Sequence, residues 1–168
     1  MEKTKTLLLN ATQIAQRIDR IAFQIYEDNA NNGGDVVLVG IHGNGYQLAE
    51  RLLEKINAIC DLNPRLVRLR IDKNNPVGNT IELSCDIQEL TGKSIVLIDD
   101  VLNSGKTLIY SLKGILKVDT MKIRTVLLVD RDHRRYPIMA DFVGMTLSTT
   151  FQEHVSLEFG DEEAVYLS

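Results

Sequence analysis

Hydrophobic positions in the chain switch between short continuous runs and helical spacing. Residues 6–9 are a short apolar run, and Asn10 followed by Gln13 has the pattern of a capping box at the start of a helix. Isoleucines spaced four, three and four residues apart then line one face of that helix, at Ile14, Ile18, Ile21 and Ile25. The Asn-Asn-Gly-Gly sequence of residues 31–34 predicts the turn that ends it.

The same alternation continues to the end of the chain. Continuous aliphatic runs predict buried strands at residues 36–39, 66–71, 94–98 and 125–129. Apolar residues at helical spacing predict helices over residues 48–56 and 105–116. Residues 72–86 are polar and predict a long loop with a hairpin near residues 80–83, and the tail has strand-like pieces at 142–143 and 155–159.

Strand–helix alternation with strands buried on both faces predicts an α/β fold, in which a parallel β-sheet is flanked by helices. The sequence contains no internal repeat, low-complexity segment or linker. We therefore expect one domain over residues 1–168.

Composition and charge narrow the functional classes. The 168 residues are 44% hydrophobic and 25% charged, as in a globular protein. The net charge of −4 argues against a broad, sequence-independent nucleic-acid surface. Cys60 and Cys85 form no CxxC pair and no zinc-ligand spacing, so we expect reduced thiols. No run approaches a membrane helix and the N-terminus does not resemble a signal peptide, so we expect a cytoplasmic protein without membrane contact.

The most informative segment is residues 95–107, IVLIDDVLNSGKT. An apolar strand ends in two acids, and a short polar turn leads into a helix, whose N-terminus favours an anion such as phosphate. Two acids beside a phosphate site suit a ribose 5-phosphate, because they accept hydrogen bonds from its hydroxyls. A Walker A loop is ruled out, because Asp100 stands where that motif requires its first glycine.

This segment closely resembles the motif with which type I phosphoribosyltransferases bind 5-phosphoribosyl-1-diphosphate (PRPP). The resemblance implies that Asp99 and Asp100 hold the ribose hydroxyls and are the catalytic acids. It also implies that the next turn cradles the 5-phosphate, through Asn103, Ser104, Gly105, Lys106 and Thr107.

Residues 128–144, LVDRDHRRYPIMADFVG, resemble the family of bifunctional pyrimidine-operon attenuators and uracil phosphoribosyltransferases. The likeness extends over nearly the whole chain. It implies a small hood over the base, with base contacts from Val129, Asp130 and Arg131 that are partly made by the backbone. It also implies a mobile lid in the polar loop, where Lys73 takes the place of an arginine that the family has near Ile71.

The first glycine-rich loop corresponds to the family's pyrophosphate loop, which reads roughly Gly-Ile-Lys-Thr-Arg-Gly. The residues here are Ile41, His42, Gly43, Asn44 and Gly45. The basic pair is therefore replaced by His42 and Asn44. Backbone amides can still hold pyrophosphate, and His42 adds charge when protonated.

The family reaction is transfer of ribose 5-phosphate from PRPP to a nucleobase, here uracil, with Mg²⁺ bound mainly through PRPP. Some purine-using relatives carry an acid at the position of Asn103, so a pyrimidine is favoured. We expect a homodimer or higher homo-oligomer. Two alternatives stay open: a catalytically weak PRPP or nucleotide binder, and a pyrimidine-nucleotide-sensing RNA attenuation regulator.

The RNA-binding alternative is not favoured by the residues that the family uses for it. His133, Arg134 and Arg20 match the residues expected at an RNA surface. Asp19 and Phe23 stand where polar or basic residues are expected on the first helix, and a carboxylate that faces RNA phosphate is unfavourable.

Overall fold

The computed structural model describes residues 5–31, 35–78, 80–150 and 152–168. In this described part of the chain, nine strands and three α-helices run in the order β1 (Thr6–Asn10), α1 (Ala11–Asn29), β2 (Val36–Ile41), α2 (Asn44–Ile59), β3 (Arg65–Arg70), β4 (Glu82–Leu83), β5 (Ser94–Leu102), α3 (Lys106–Ile115), β6 (Lys122–Asp130), β7 (Phe142–Thr146), β8 (Val155–Glu158) and β9 (Ala164–Leu167). A 3-10 helix, Ile87–Leu90, precedes β5. Of the turn predicted at residues 31–34, residues 32–34 lie outside the described part of the chain.

Six strands form the main sheet in the order β4-β3-β2-β5-β6-β7. All neighbours in it are parallel except β3 and β4, whose antiparallel pairing joins Leu69 to Leu83 and Arg70 to Glu82. The predicted α/β fold with helices flanking a parallel sheet is confirmed. The hairpin predicted near residues 80–83 is formed by β4 returning along β3, and the loop between these strands is the predicted lid.

The order of the strands creates a crevice between β2 and β5. From β2 the chain crosses through α2 to β3 on one side, and from β5 it crosses through α3 to β6 on the other. Such a switch point in a parallel sheet leaves room at the carboxyl ends of the two strands, where ligands bind. The loop after β2 and the turn after β5 border this crevice.

Strand β5 is longer than predicted and reaches past the end of its neighbour. We predicted that the strand ends at residue 98, but it continues through the two acids to Leu102. Its pairing with β2 stops at Ile98, whereas its pairing with β6 continues to Leu102 and Asp130. Because β6 supports one side only, the last residues of β5 are open toward the crevice.

The faces of the sheet carry separate hydrophobic clusters. Helices α1 and α2 pack on one face with Leu38 and Val96, and α3 packs on the other with Val39 and Leu97. All six residues of β2 are buried, as the continuous apolar run predicts. The capping box at the start of α1 is confirmed, since Asn10 Oδ1 accepts from the Gln13 N–H and the Asn10 N–H donates to Gln13 Oε1.

A second, antiparallel sheet combines both ends of the chain in the order β1-β9-β8. We call these three strands the hood. It packs on the α1 and α2 side of the main sheet through Leu9, Leu157 and Val165. The sequence predicts β8 but not β9, whose four residues show no distinctive pattern. Within the described residues, no helix is long and apolar enough to cross a membrane.

Candidate active site

The turn after β5 joins the strand to α3 through Gly105. Gly105 has φ +84° and precedes Lys106, the first helical residue. The Ser104 hydroxyl accepts from the Lys106 N–H at 3.2 Å. The other N–H groups at the start of a helix have no intrahelical acceptor, so they can donate to a bound anion. The turn lines a cavity of about 100 Å³ together with Lys73, Asp99 and Asp100.

Only glycine fits at position 105. Its left-handed φ strains any residue that has a Cβ, and a Cβ there would lie 2.6 Å from Cγ2 of Ile138. The segment after β6 therefore packs directly against the turn. We call residues 103–107 the phosphate turn below.

The first acid, Asp99, is buried at the end of β5 with 4% of its surface exposed. Its Oδ1 accepts from the Asp100 N–H at 3.0 Å. Burial, and then the adjacent Asp100 carboxylate, raise the pKa of Asp99 to about 7, whereas the Lys73 ammonium opposes this shift. A strongly raised pKa at a strand end is typical of a functional site.

The second acid is held by the first glycine-rich loop. Asn44 Nδ2 donates to Asp100 Oδ2 at 3.1 Å and also to the carbonyl oxygen of Leu157 in the hood, at 2.9 Å. Asn44 therefore joins the acids to the hood at the position where the family has an arginine.

The remainder of that loop also borders the acids. A Cβ on Gly45 would lie 2.8 Å from Asp99 Oδ1, so this glycine permits the close approach of α2 to β5. Gly43 has φ +97°, and the exposed His42 is tied to β3 because its N–H donates to the Leu69 carbonyl at 2.7 Å. Ile41 is fully buried at the end of β2.

The lid loop reaches the acids through its first residues. Lys73 Nζ lies 3.6 Å from Asp99 Oδ1. Lys73 also lines an open cleft of about 720 Å³ under the lid, with His42 and Arg70 among its walls. Ile71, near the position where the family has arginine, is half-buried and packs on the α3 side of the sheet.

The three residues predicted to contact the base follow one another at the end of β6. Val129 and Asp130 pair with both β5 and β7, and both are buried. Asp130 Oδ1 accepts from the Asp132 N–H at 2.8 Å. The Arg131 side chain is 7% exposed and donates to Asn103 in the phosphate turn at 2.7 Å.

The predicted PRPP, pyrophosphate and lid residues thus meet at one edge of the sheet. Lys73 of the lid contacts Asp99, and Asn44 of the pyrophosphate loop contacts Asp100, so direct contacts join these three groups. The base-contact group joins them through Arg131 and Asn103. The sequence did not predict this contact or the additional contacts of Arg131 with Thr149 and Glu153, because these residues are distant in sequence and form no motif.

Comparison with known proteins identifies the family. The sequence model described as phosphoribosyl transferase domain matches residues 6–160. The chain belongs to this phosphoribosyltransferase family. The acids and the turn of the family motif are thus placed by this fold at the crevice between β2 and β5.

Relatives extend the match over almost the full phosphoribosyltransferase chain. The bifunctional protein PyrR of Fusobacterium nucleatum is 34% identical, and the alignment covers 99% of this chain and all of the relative. The protein of the same name from Staphylococcus epidermidis is 37% identical, with 98% and 99% covered. These relatives confirm the resemblance to the bifunctional family.

Solved phosphoribosyltransferase structures share the fold. A hypoxanthine phosphoribosyltransferase from Staphylococcus aureus has a TM-score of 0.72 at 21% identity, with 87% of this chain and 80% of that chain covered. A hypoxanthine-guanine phosphoribosyltransferase from Bacillus anthracis has a TM-score of 0.70 at 19% identity, with 88% and 87% covered. At such low identity these likenesses show the fold alone.

Proposed function

We propose that this phosphoribosyltransferase transfers ribose 5-phosphate from PRPP to uracil and releases pyrophosphate. The observation that carries the proposal is the open end of β5, where the buried Asp99 and its neighbour Asp100 directly precede a glycine-containing turn at a helix N-terminus. A ligand that carries both a phosphate and sugar hydroxyls suits this arrangement, because the turn can bind the phosphate while the acids accept from the hydroxyls.

The phosphate turn binds the 5-phosphate of the ligand, and the two acids bind its ribose. The 5-phosphate accepts from N–H groups of the turn and from the hydroxyls of Ser104 and Thr107, with Lys106 adding charge. The ribose hydroxyls donate to Asp99 and Asp100. Displacement of Lys73 from its position 3.6 Å from Asp99 Oδ1 makes room for the ribose.

Pyrophosphate occupies the loop formed by Ile41, His42, Gly43, Asn44 and Gly45. Among the residues that the structure describes, no group of three or more His, Cys, Asp or Glu side chains could hold a metal ion. We propose Mg²⁺ as an ion that is held mainly by PRPP oxygens and water, near Asp99 and Asp100. When bound, it stabilises the negative charge of the leaving pyrophosphate.

The reaction exchanges one bond at C1 of the ribose. The bond from C1 to the pyrophosphate oxygen breaks, a ring nitrogen of the base forms the new bond to C1, and the proton of that nitrogen passes to the leaving pyrophosphate or to water. Because the transition state has oxocarbenium character, positioning and electrostatics supply most of the catalysis. The lid loop that contains Lys73 excludes water from this centre.

Uracil is the favoured base because Asn103 cannot take a proton from a purine as a carboxylate could. Val129, Asp130 and Arg131 border the base, partly through backbone groups. The strand that carries the first two is fixed on both sides by β5 and β7, so its end offers a rigid edge for recognition.

Pyrophosphate release tests the proposal. The protein is mixed with PRPP, Mg²⁺ and, in separate reactions, uracil, hypoxanthine, guanine, adenine and xanthine. Release with uracil alone is expected. Release with a purine would contradict the choice of base, and PRPP binding without release would favour the catalytically weak binder.

The acids are tested by replacing both with amides. The double variant D99N/D100N should lose at least about 100-fold in kcat/KM while it stays folded, because the ribose loses its charged acceptors. The control is D161N/E162Q, which alters two adjacent exposed acids between β8 and β9. Equal turnover in the two double variants would contradict the roles of Asp99 and Asp100.

RNA binding is the second candidate, because the attenuator family resembled by this chain has that activity. Two observations weigh against it: Asp19 pairs with Lys55 at 2.9 Å, and Arg20 donates to the carbonyls of Val143 and Gly144 in β7. If RNA is bound, affinity for a pyrimidine-leader RNA should fall steeply with salt and depend on Arg134. Absence of binding at low salt would remove this candidate.

We also expect a homodimer or higher homo-oligomer. Helix α1 leaves Phe23 and Tyr26 exposed, at 49% and 37% of their surfaces, and apolar surface of this kind is suited to a contact between copies. Light scattering across a range of protein concentrations measures the oligomeric state, and a monomer at every concentration would contradict the expectation.

A further inference from the structure

We propose that Arg131 is a positioning residue, whose side chain braces the phosphate turn from behind and so sets its affinity for the 5-phosphate. This role differs from base recognition, which we assign to backbone groups of the same segment. The inference rests on the proposed function, since it concerns how well the turn holds the phosphate of its substrate.

The Arg131 guanidinium connects three segments. Nη1 donates to Asn103 Oδ1 at 2.7 Å, Nε and Nη2 donate to Thr149 Oγ1 at 3.1 and 3.0 Å, and Nη2 also donates to the Glu153 carbonyl at 2.5 Å. The side chain is buried, with 7% of the residue exposed. Its planar fork therefore fixes Asn103 relative to the segment that enters the hood.

The backbone around Arg131 supports the same turn. The Arg131 N–H donates to the Leu102 carbonyl at 3.1 Å, and the N–H groups of Arg135 and Tyr136 donate to the Ser104 carbonyl at 2.9 and 3.2 Å. The carbonyl groups on this side of the turn are thus satisfied by residues 131–136. The N–H groups at the start of α3, other than that of Lys106, are thus available to an anion.

A turn whose shape is fixed before the ligand arrives loses little conformational entropy on binding, so its affinity is higher. The hydrogen-bonded partners of Arg131 are neutral oxygens on an amide, a hydroxyl and a carbonyl. Lysine could not reproduce this arrangement, because an ammonium lacks the planar fork that reaches Asn103 and Thr149 together. Removal of the guanidinium should loosen Asn103 and leave the turn less ordered.

Calorimetric binding of ribose 5-phosphate provides the test, because it needs neither base nor turnover. We expect R131Q to weaken binding about 10- to 30-fold and R131K to recover only part of it. The control is R51Q, because Arg51 also joins the main body to the hood side, through a 2.5 Å ion pair with Glu163, but does not contact the turn. R51Q should change binding less than about twofold, although chemical unfolding should show that both R51Q and R131Q lose stability.

A double-mutant cycle separates positioning from general stability. If Arg131 acts through Asn103, R131Q should weaken binding much less in an N103A background than in the wild-type protein. An undiminished effect in that background, or equal effects of R131Q and R51Q, would overturn the inference. If the wild-type protein binds neither ribose 5-phosphate nor PRPP, the proposed function itself fails, and this inference fails with it.

Discussion

Two loops border the crevice, and the structure supports them differently. The phosphate turn after β5 is held from behind by residues 131–136 and by the Arg131 side chain, so its N–H groups can face a ligand. The loop after β2 offers the exposed His42 and Asn44, whose amide is already bonded to Asp100 and to the hood. In the proposed site, the half assigned to ribose 5-phosphate therefore has a supported turn and two acids, whereas the half assigned to pyrophosphate would depend on backbone groups.

This contrast separates binding from turnover. A chain with a well-formed phosphate turn should bind ribose 5-phosphate firmly. In the function proposed above, stabilisation of the leaving pyrophosphate would instead depend on the less charged loop and on Mg²⁺ brought by the substrate.

Replacement of the buried acid should stabilise the protein at alkaline pH. The folded pKa of Asp99, about 7, lies above the value of roughly 3.9 for an unfolded aspartate, so the folded state binds more protons between these values. The contribution of Asp99 to wild-type stability should therefore fall as pH rises from about 4 to 7, and this loss is nearly complete by pH 8. D99N avoids it and should be more stable by up to ~4 kcal/mol at pH 8.

Chemical unfolding at pH 8 and pH 4.5 measures this difference between D99N and the wild-type protein. The advantage of D99N should nearly vanish at the lower pH, where Asp99 is neutral in the folded protein. D161N, at an exposed position, should show no such pH dependence. A D99N protein no more stable than wild type at pH 8 would show that the Asp100 N–H and the Lys73 ammonium accommodate the charge of Asp99.

Replacing one glycine in each loop by alanine compares the two loops directly. G105A should cost about 3 kcal/mol, because it combines a strained φ with a contact of 2.6 Å to Ile138 Cγ2. Gly43 also has a positive φ, in a backbone region that other residues rarely adopt, but no atom lies within 4 Å of an added Cβ, so G43A should cost only about 1–2 kcal/mol, from backbone strain alone. Unfolding curves measure the loss of stability in both variants. Calorimetry should show at least a 100-fold loss of ribose 5-phosphate affinity in G105A only. Equal costs would contradict the contrast between the loops.

The order of strands and helices, the capping box and the motif at residues 95–107 could be predicted, because each depends on neighbours in sequence. The extension of β5 to Leu102 could not, since it depends on a partner, β6, more than twenty residues away. The contacts of Arg131 with Asn103 and Thr149 and of Lys73 with Asp99 were missed for the same reason. Charged residues in a polar run do not reveal which tertiary partner they will meet.

Asn44 tests how far the pyrophosphate loop supports the acids. N44A removes two hydrogen bonds, to Asp100 Oδ2 and to the Leu157 carbonyl, and should destabilise the protein by about 1–2 kcal/mol. It should also raise the KM for PRPP several-fold, because Asp100 loses a fixed donor. The exposed Asn57 of the same helix supplies the control, N57A. If the two variants have the same KM, Asn44 does not position Asp100 for the substrate.

The smallest expected effect comes from restoring a cation to the pyrophosphate loop. H42K places an ammonium on an exposed residue, so it should tighten pyrophosphate binding only about three- to fivefold and leave ribose 5-phosphate binding unchanged. The gain should disappear in high salt, because the added charge is open to solvent. The control Q16K adds the same charge to an exposed position of α1 and should leave the binding of both ligands unchanged. If H42K strengthens the binding of pyrophosphate and of ribose 5-phosphate equally, the added charge acts on both halves of the site through one electrostatic field. Pyrophosphate binding would then be limited by the shape of the loop after β2 and not by its missing charges.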